Sequence, residues 1–529
     1  MQKNSVHRAE SGLFSDFSNE LVYNQSTFSS LITTPFSISA FASQIAKKAA
    51  TYPEATRSIL VDTLKRHYQQ LPADVKVLEN IEKLASPDTY TITTGHQLNI
   101  FTGPVYFIYK ILHVINLCET LAKEYPEQQF VPVYWMASED HDFEEINHTR
   151  LFGKRIEWDA FQGGPVGMYD LKEWEQLQAA VREFFSNHPE TEIFSLLDNY
   201  RGTNLAEATR SFVNALFGKY GLLIIEPNDR SYKELFKPLM QKEAGEPFVK
   251  KAIDQADAIL QEKGFKPPVF AREINLFYIE KGIRERLVPE NGQITIEGKG
   301  SFSTEEILLQ IANHPENFSP NVAMRPLYQE CILPNLAYIG GGGEIAYWTQ
   351  FKGIFDACEI PYPLIQVRNS LQLIDANTQK KIQKAALSLS DLFKDINELK
   401  KQYVLDHSGE ELDFTAMDQQ AEQLKQLIEQ QILEVDPGFG SFAGAEITKL
   451  GKQLEGIKAK LVKQQKSKFD GALKQIEDIK EKLFPGGTPQ ERKDNFLTFC
   501  PDGNVSSFID LLKEAMNPLE KDLIILNLD

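Results

Sequence analysis

The sequence predicts an α/β protein: a parallel sheet with connecting insertions, followed by an antiparallel α-helical coiled coil. Three observations carry that reading. Residues 91–148 run strand, glycine turn, helix, strand, and then a crowd of ionisable groups. Residues 221–225 (GLLII) and 363–367 (PLIQV) are further short, largely apolar runs, as buried strands of a parallel sheet should be. From residue 376 the composition turns to Lys, Glu and Gln around apolar residues spaced three and four apart.

The elements follow in order. Residues 1–88 read as largely helical. In residues 89–94, β-branched and aromatic side chains alternate, and Gly95 ends the strand. Pro104 sits just inside a new helix, where its missing N–H costs nothing. Ile108, Ile111, Leu112, Ile115 and Leu121 give that helix an apolar face. Residues 130–136 make the second strand. Residues 151–220 read as a helical insertion, with helices at 171–185 and 204–220. The strand at 221–225 ends at Glu226-Pro227-Asn228-Asp229. Residues 230–320 form a mixed α/β insertion: strands at 274–287 and 293–297 flank the turn Pro289-Glu290-Asn291-Gly292, and Ser303 with Glu306 makes a capping box. The core resumes near Asn321, and 363–367 is its last strand, so residues 1–375 form the core with its insertions.

Residues 376–484 form the arm. Ile382, Leu389, Leu392, Ile396, Leu399 and Tyr403 share one stripe, which Phe414, Met417, Ala421, Leu424 and Ile428 continue. Past the turn at 436–440, Ile447, Leu450, Leu454, Ile457 and Leu461 make a second stripe. Two arms about a Pro-Gly turn predict a helical hairpin, with an ordinary bundle as the plainer alternative. Residues 485–529, with Leu523-Ile524-Ile525-Leu526, return to the core.

Lys+Arg 56 against Asp+Glu 74 gives a net charge of −18. That balance disfavours nucleic acid and anionic membrane as partners. Cys118, Cys331, Cys358 and Cys500 stand far apart, with no C-x-x-C pair, which argues against a disulfide framework or a cysteine-rich zinc site. With no signal-like start and no membrane-length apolar run, the expected location is cytoplasmic.

In an open α/β sheet, ligands bind beyond the carboxyl ends of the strands. Gly95-His96-Gln97 closes the first strand and Glu139-Asp140-His141-Asp142 follows the second. Two polar clusters at one sheet edge make a candidate site.

Several segments also carry a resemblance: T-G-H-Q (94–97) with F-T-G-P-V-Y (101–106), W-M-A-S-E-D-H-D-F-E-E-I-N-H (135–148), R-P-L-Y-Q-E-C-I-L-P-N-L-A-Y-I-G-G-G-G-E-I-A-Y-W (325–348) and L-F-P-G-G-T-P-Q-E-R (483–492). The chain resembles the cysteine-adding enzymes of bacillithiol biosynthesis, the cysteine ligases. That resemblance implies a Rossmann-like core similar to class I aminoacyl-tRNA synthetases, with a coiled coil. It implies ATP-dependent joining of cysteine to glucosaminyl malate through an activated cysteinyl intermediate, with Mg2+ accompanying the nucleotide.

Such activation crowds negative charge on phosphorus and needs fixed donors. Candidates are the amides of the Thr102-Gly103-Pro104 helix start, the His96 imidazole, and the cations Lys110 and Lys352. The H-I-G-H and K-M-S-K-S signatures of class I synthetases are absent. Arg368-Asn369-Ser370 stands as a loose positional substitute for the second. Gly340 to Gly343 read as a ligand loop, notably Gly341 and Gly342, with Glu344 and Tyr347 on a following helix. Arg325 and Gln329, one turn apart, suit a carboxylate or phosphate of the acceptor; a structural ion pair is the plain alternative for Arg325. For His96 the plain alternative is a turn histidine bonded to backbone. Asp140, His141 and Asp142 could hold Mg·ATP or the amino group of cysteine, and Asp142 or His141 could take the proton from the acceptor amine. No dedicated metal site is assigned. A competing reading makes Asp140, His141, Glu144, Glu145 and His148 the metal site of a hydrolase or transferase. Another makes the chain a nucleotide-binding coiled-coil scaffold. The coiled coil predicts a homodimer.

Overall fold

The computed structural model describes residues 2–69, 71–188, 191–408 and 413–528. It divides into two compact units. One comprises Gln2–Gln372 with Pro489–Leu526, and the other is built on Leu373–Thr488.

The first unit centres on five parallel strands, β1 (Thr89–His96), β2 (Gln129–Met136), β3 (Leu223–Ile225), β4 (Asn335–Gly340) and β5 (Leu364–Val367), in the order β5-β4-β1-β2-β3. β1 runs to His96, past Gly95, and is buried along its whole length. Buried threonines need partners. Thr91 and Thr93 donate to Asn335 Oδ1 at 3.3 and 2.8 Å, and Asn335 Nδ2 donates to Glu330 Oε1 at 2.6 Å. Val131, Val133 and Trp135 alternate onto one face, where they pack with Leu223, Tyr232 and Tyr328. Ile92, Val114, Leu117 and Ile339 fill the other. Register decides where the strands stop. His96 lies level with Met136, and Gly340 with Val367. The loops leaving β1, β2, β4 and β5 therefore open on one edge.

The helix after β1 starts later than expected. Helix α1 spans Tyr106–Glu124. Before it, Phe101, Thr102 and Gly103 all adopt positive φ, of 50°, 69° and 64°. Asn495 secures this strained turn by donating to the carbonyls of Phe101 and Gly103 at 2.8 and 2.7 Å. Pro104 bridges to Asn495 instead of opening the helix.

In the 151–220 insertion the helices are Trp174–Phe184, Glu192–Asp198 and Leu205–Phe217. A hairpin that the apolar pattern did not reveal, His148–Leu151 with Lys154–Glu157, precedes them around Phe152-Gly153, both at positive φ. The 274–287 segment is not one strand. It is a hairpin of Leu276–Glu280 and Ile283–Arg286, bent at Gly282 (φ 83°). The Asn291-Gly292 turn closes a second hairpin, Val288–Glu290 with Gln293–Ile296. The Ser303/Glu306 capping box forms on Thr304–Asn313. β5 is the last strand of this sheet, as expected; Arg368-Asn369 is only a two-residue link to Ser370–Ile374, which belongs to another sheet.

In the second unit, Thr415–Val435 and Gly440–Lys466 form an antiparallel hairpin about Pro437–Phe439, with Lys458 paired to Asp418 across it. Towards its base, Leu399, Val404, Val462, Leu473 and Ile476 form a packed cluster.

Candidate functional site

The loops at the carboxyl edge of the sheet enclose a cavity of about 660 Å³, within the range of small-molecule sites. Of the sequence candidates, Gly95, His96, Gln97, Lys110, Asp140, His141, Asp142, Arg325, Gly341, Glu344, Tyr347 and Arg368 all line it. Seven Lys and Arg side chains line it against four Asp and Glu, on a chain whose net charge is −18. The cavity is thus a cationic pocket in an acidic protein.

At its floor, Lys110 is buried in α1 and donates to Gly95 O at 2.5 Å and Glu344 Oε2 at 2.6 Å. Burial lowers the Lys110 pKa. Burial alone would raise that of Glu344, but the Lys110 charge and hydrogen bonds from Lys110 and Tyr338 hold it below its ordinary value. Gly95 is required here. Its amide donates to Tyr338 Oη at 3.1 Å, and a Cβ would lie 2.8 Å from that oxygen. His96 packs against the rings of Tyr106 and Phe107, and its buried Nε2 has no partner. It is not a turn histidine tied to backbone. Burial, reinforced by the Lys110 and Arg368 charges, pushes its pKa well below the ordinary value, so the ring is neutral.

Arg325 opens the helix Arg325–Ile332 and lies over Tyr338 and Trp348, 5.3 and 5.9 Å from their centroids. Its Nη1 donates to Gln329 Oε1 at 3.2 Å, and its buried Nη2 has no partner. Gln329 is fully buried and lies off the cavity wall; it positions Arg325.

On the β2 side, Gln97 Nε2 bridges Asp140 Oδ2 and Glu145 Oε2 at 2.9 and 2.8 Å. Arg284, from the inserted hairpin, lies flat over Phe277 and meets His141 Nδ1 at 2.6 Å and Asp140 at 3.6 Å. Burial would raise the Asp140 pKa, but hydrogen bonds from His141 and Gln97 and the Arg284 charge bring it down to about 2. A guanidinium only donates, so in this contact His141 Nδ1 accepts from Arg284. Asp142 is exposed beside it.

Other expectations are corrected. The Thr102, Gly103 and Val105 amides are bound to Asn99 O, Ile100 O and Asp494 O, and Pro104 has none. That turn presents no amides and lies off the cavity wall. Gly342 packs on Ser18, whose Oγ would lie 2.1 Å from an added Cβ, whereas Gly341 and Gly343 face open space. Asn369 is held by His113 and by the carbonyls of Asn517 and Glu520, and Ser370 faces Arg8 and Arg368. Neither reaches the cavity. Lys352 pairs with Asp356 away from it. In the wider acidic cluster, Phe143–Ile146 is a single turn and His148 opens a strand. Among the described residues, only Asp140, His141 and Asp142 bring ligand atoms within 4.8 Å of one another. Arg284 already occupies that group, so a cation fits poorly there.

Sequence reasoning assigned no role to Arg272, Arg284, Arg286 and Arg492, which line the cavity, or to Glu491, which pairs with Arg368. Glu491-Arg492 ends the motif at 483–492, which was the available signal. Arg284 lies in an insertion with none.

Two family models account for almost the whole chain. "Bacillithiol biosynthesis BshC, N-terminal Rossmann-like domain" matches residues 1–369, and "Bacillithiol biosynthesis BshC, C-terminal coiled-coil domain" matches residues 371–528. The chain is similar to three proteins each named "Putative cysteine ligase BshC". It is 39% identical to that of Flavobacterium johnsoniae, over 100% of both chains. It is 37% identical to that of Cytophaga hutchinsonii, over 87% of each, and 27% identical to that of Bacillus cereus, over 97% of each. With both domains matched in order along its length, the chain belongs to the BshC family of bacillithiol biosynthesis.

Proposed function

We propose that this protein joins the carboxyl group of cysteine to the amine of glucosaminyl malate in an ATP-dependent reaction, giving bacillithiol. The observation that carries the reading is the cationic cavity at the sheet edge. It holds a neutral, unpartnered His96 together with buried Arg284 Nε, Arg325 Nη2 and Arg368 Nε atoms that lack partners. Unsatisfied buried donors suit anionic ligands, and both ATP and a malate-bearing acceptor are anions. Bound ATP would supply the phosphoryl or adenylyl group that activates the cysteine carboxylate. His96, Arg368 and Arg492 are the residues that would hold its phosphates, with Gly341 and Gly343 leaving room for close approach. Mg2+ would arrive with the phosphates, since Arg284 occupies the Asp140-His141 pair.

Neutral His96 donates a hydrogen bond at no charge cost. Arg325, fixed by Gln329 and the rings of Tyr338 and Trp348, orients a carboxylate. Asp142 takes the proton released when the acceptor amine attacks. The same proposal places the protein in the cytoplasm, away from nucleic acid; among the described residues no helix is long and apolar enough to cross a membrane. It also makes the protein a homodimer through the coiled-coil hairpin, where Leu427, Phe442 and Ile457 are about half exposed.

The deciding experiment incubates the protein with cysteine, glucosaminyl malate and ATP and follows bacillithiol, AMP and ADP by mass spectrometry. Bacillithiol with AMP supports adenylyl activation, and bacillithiol with ADP supports phosphoryl activation. Absence of product with folded protein overturns the reading. The metal-dependent hydrolase alternative rests on the Asp140-His141-Asp142 grouping and would instead require turnover that a chelator abolishes without nucleotide.

A further inference from the structure

A second, smaller polar cavity of about 190 Å³ lies beyond the carboxyl end of β3, lined by His67, Ser138, Asn204, Arg210, Glu226 and Asn228 among others. At roughly 30 Å³ per water, it has the size of a small metabolite and cannot admit a nucleotide.

Its polar groups are arranged around a gap. Glu226 Oε1 is satisfied by Ser138 Oγ and by the Asn228 amide at 2.9 Å, while the buried Oε2 has no partner. Arg210, on the helix Leu205–Phe217, faces the same cavity, and its buried Nε is also unpartnered. Burial raises the Glu226 pKa and the Arg210 charge, acting through space, opposes that rise, yet no ion pair forms between the two side chains among the described residues. His67 supplies a third open group. Its Nε2 meets Asp229 Oδ2 at 2.9 Å, while its buried Nδ1 has no partner. With Nε2 donating to Asp229, a neutral ring presents Nδ1 as an acceptor. The cavity wall therefore offers acceptors, Glu226 Oε2 and His67 Nδ1, together with the Arg210 guanidinium, which Glu207 flanks on the same helix. A ligand satisfying both must carry a cationic donor and an anion a few atoms apart.

We propose that this cavity binds a small α-amino acid as its zwitterion, with the ammonium group between Glu226 and His67 and the carboxylate on Arg210. The volume restricts the side chain to a short one. This goes beyond the ligase reading and does not depend on it, because the groups concerned lie outside the larger cavity.

Calorimetric titration of the full chain with glycine, L-alanine and L-serine, without nucleotide, tests the site. Saturable binding is expected, weakened at least tenfold by Glu226→Gln and by Arg210→Gln and unchanged by Arg325→Gln. N-acetylglycine and ethanolamine, each lacking one charge, should fail to compete. Should Glu226→Gln misfold, by circular dichroism and melting, Arg210→Gln and the two analogues still decide. No binding of any of the three amino acids means that water alone fills the cavity and overturns the proposal. Binding weakened by Arg325→Gln instead puts the amino acid in the larger cavity and also overturns it. Ligation without such binding would leave the proposed reaction standing while this inference falls; binding without ligation would do the reverse.

Discussion

Arg368 and Glu491 meet as a buried two-pronged ion pair, with Nη2 2.8 Å from Oε1 and Nη1 3.0 Å from Oε2. Though 123 residues apart in sequence, they hold one wall of the cavity. Burial would lower the Arg368 pKa, but Glu491 outweighs it and keeps the guanidinium charged. Removing one partner strands the other. Glu491→Ala should therefore cost about 3–5 kcal/mol, read as a lower denaturation midpoint. Arg368→Lys should not restore wild-type stability, because an ammonium cannot reproduce the fork.

The Lys110–Glu344 pair makes a cleaner test, because both partners lie at the cavity floor. Lys110→Met leaves a buried carboxylate and should destabilise by about 3–5 kcal/mol. Adding Glu344→Gln should recover part of that loss, since the stranded charge is gone. Denaturant unfolding of both singles and the double gives the coupling energy. Additive losses would show that the pair is not coupled.

The glycines after β4 should separate by role. Gly342→Ala drives a methyl into Ser18 and should lower the melting temperature. Gly341→Ala and Gly343→Ala meet nothing within 4 Å and should keep it. If the loop approaches a bound anion, these two variants weaken nucleotide binding in a fluorescence titration while remaining stable.

Two groups should shape stability against pH in the same direction at different pH. The folded pKa of His96 is depressed, so below its unfolded value near 6.5 only the unfolded chain takes up the proton. Stability therefore falls as pH drops below about 6.5, and His96→Gln should flatten that slope. Asp140 is depressed to about 2, so its stabilisation is present above its unfolded value and is lost as pH falls through 2. The gap between wild type and Asp140→Asn should be open at pH 5 and close towards pH 2.

Leu427→Glu with Phe442→Glu, on the exposed hairpin, should convert a dimer to a monomer in sedimentation velocity without changing the melting of the core. An unchanged sedimentation coefficient would remove the coiled coil from the dimer.

Much of the framework was legible in local chemistry. The all-apolar β2 run follows from burial on both faces, the Ser303/Glu306 box from its three-residue spacing, and the stripes of the long hairpin helices from a period of 3.6 residues, whereas the stripe from Ile382 to Tyr403 is broken between Lys384 and Ile396. His96 and Asp140 were legible because strand ends at a parallel sheet edge are where ligands bind. Other readings failed where a distant residue overrode a local signal. Pro104 looked like a helix start, but Asn495 holds the preceding turn in left-handed backbone and shifts the helix to Tyr106. Arg284, which meets His141, comes from an insertion with its own unrelated hairpin pattern.

The sequence by itself determined the periodic elements, the acidic balance and the residue types gathered near β1 and β2. Only the tertiary structure decided which of those residues are available for chemistry. Availability depends on hydrogen-bond partners and burial, and the partners come from positions such as Glu491 and Arg284 whose proximity no local spacing encodes. The net charge illustrates the difference: it is a sum over the chain and reads acidic, whereas the cavity's sign depends on which charged side chains the fold turns inward, and among those arginine and lysine outnumber aspartate and glutamate seven to four.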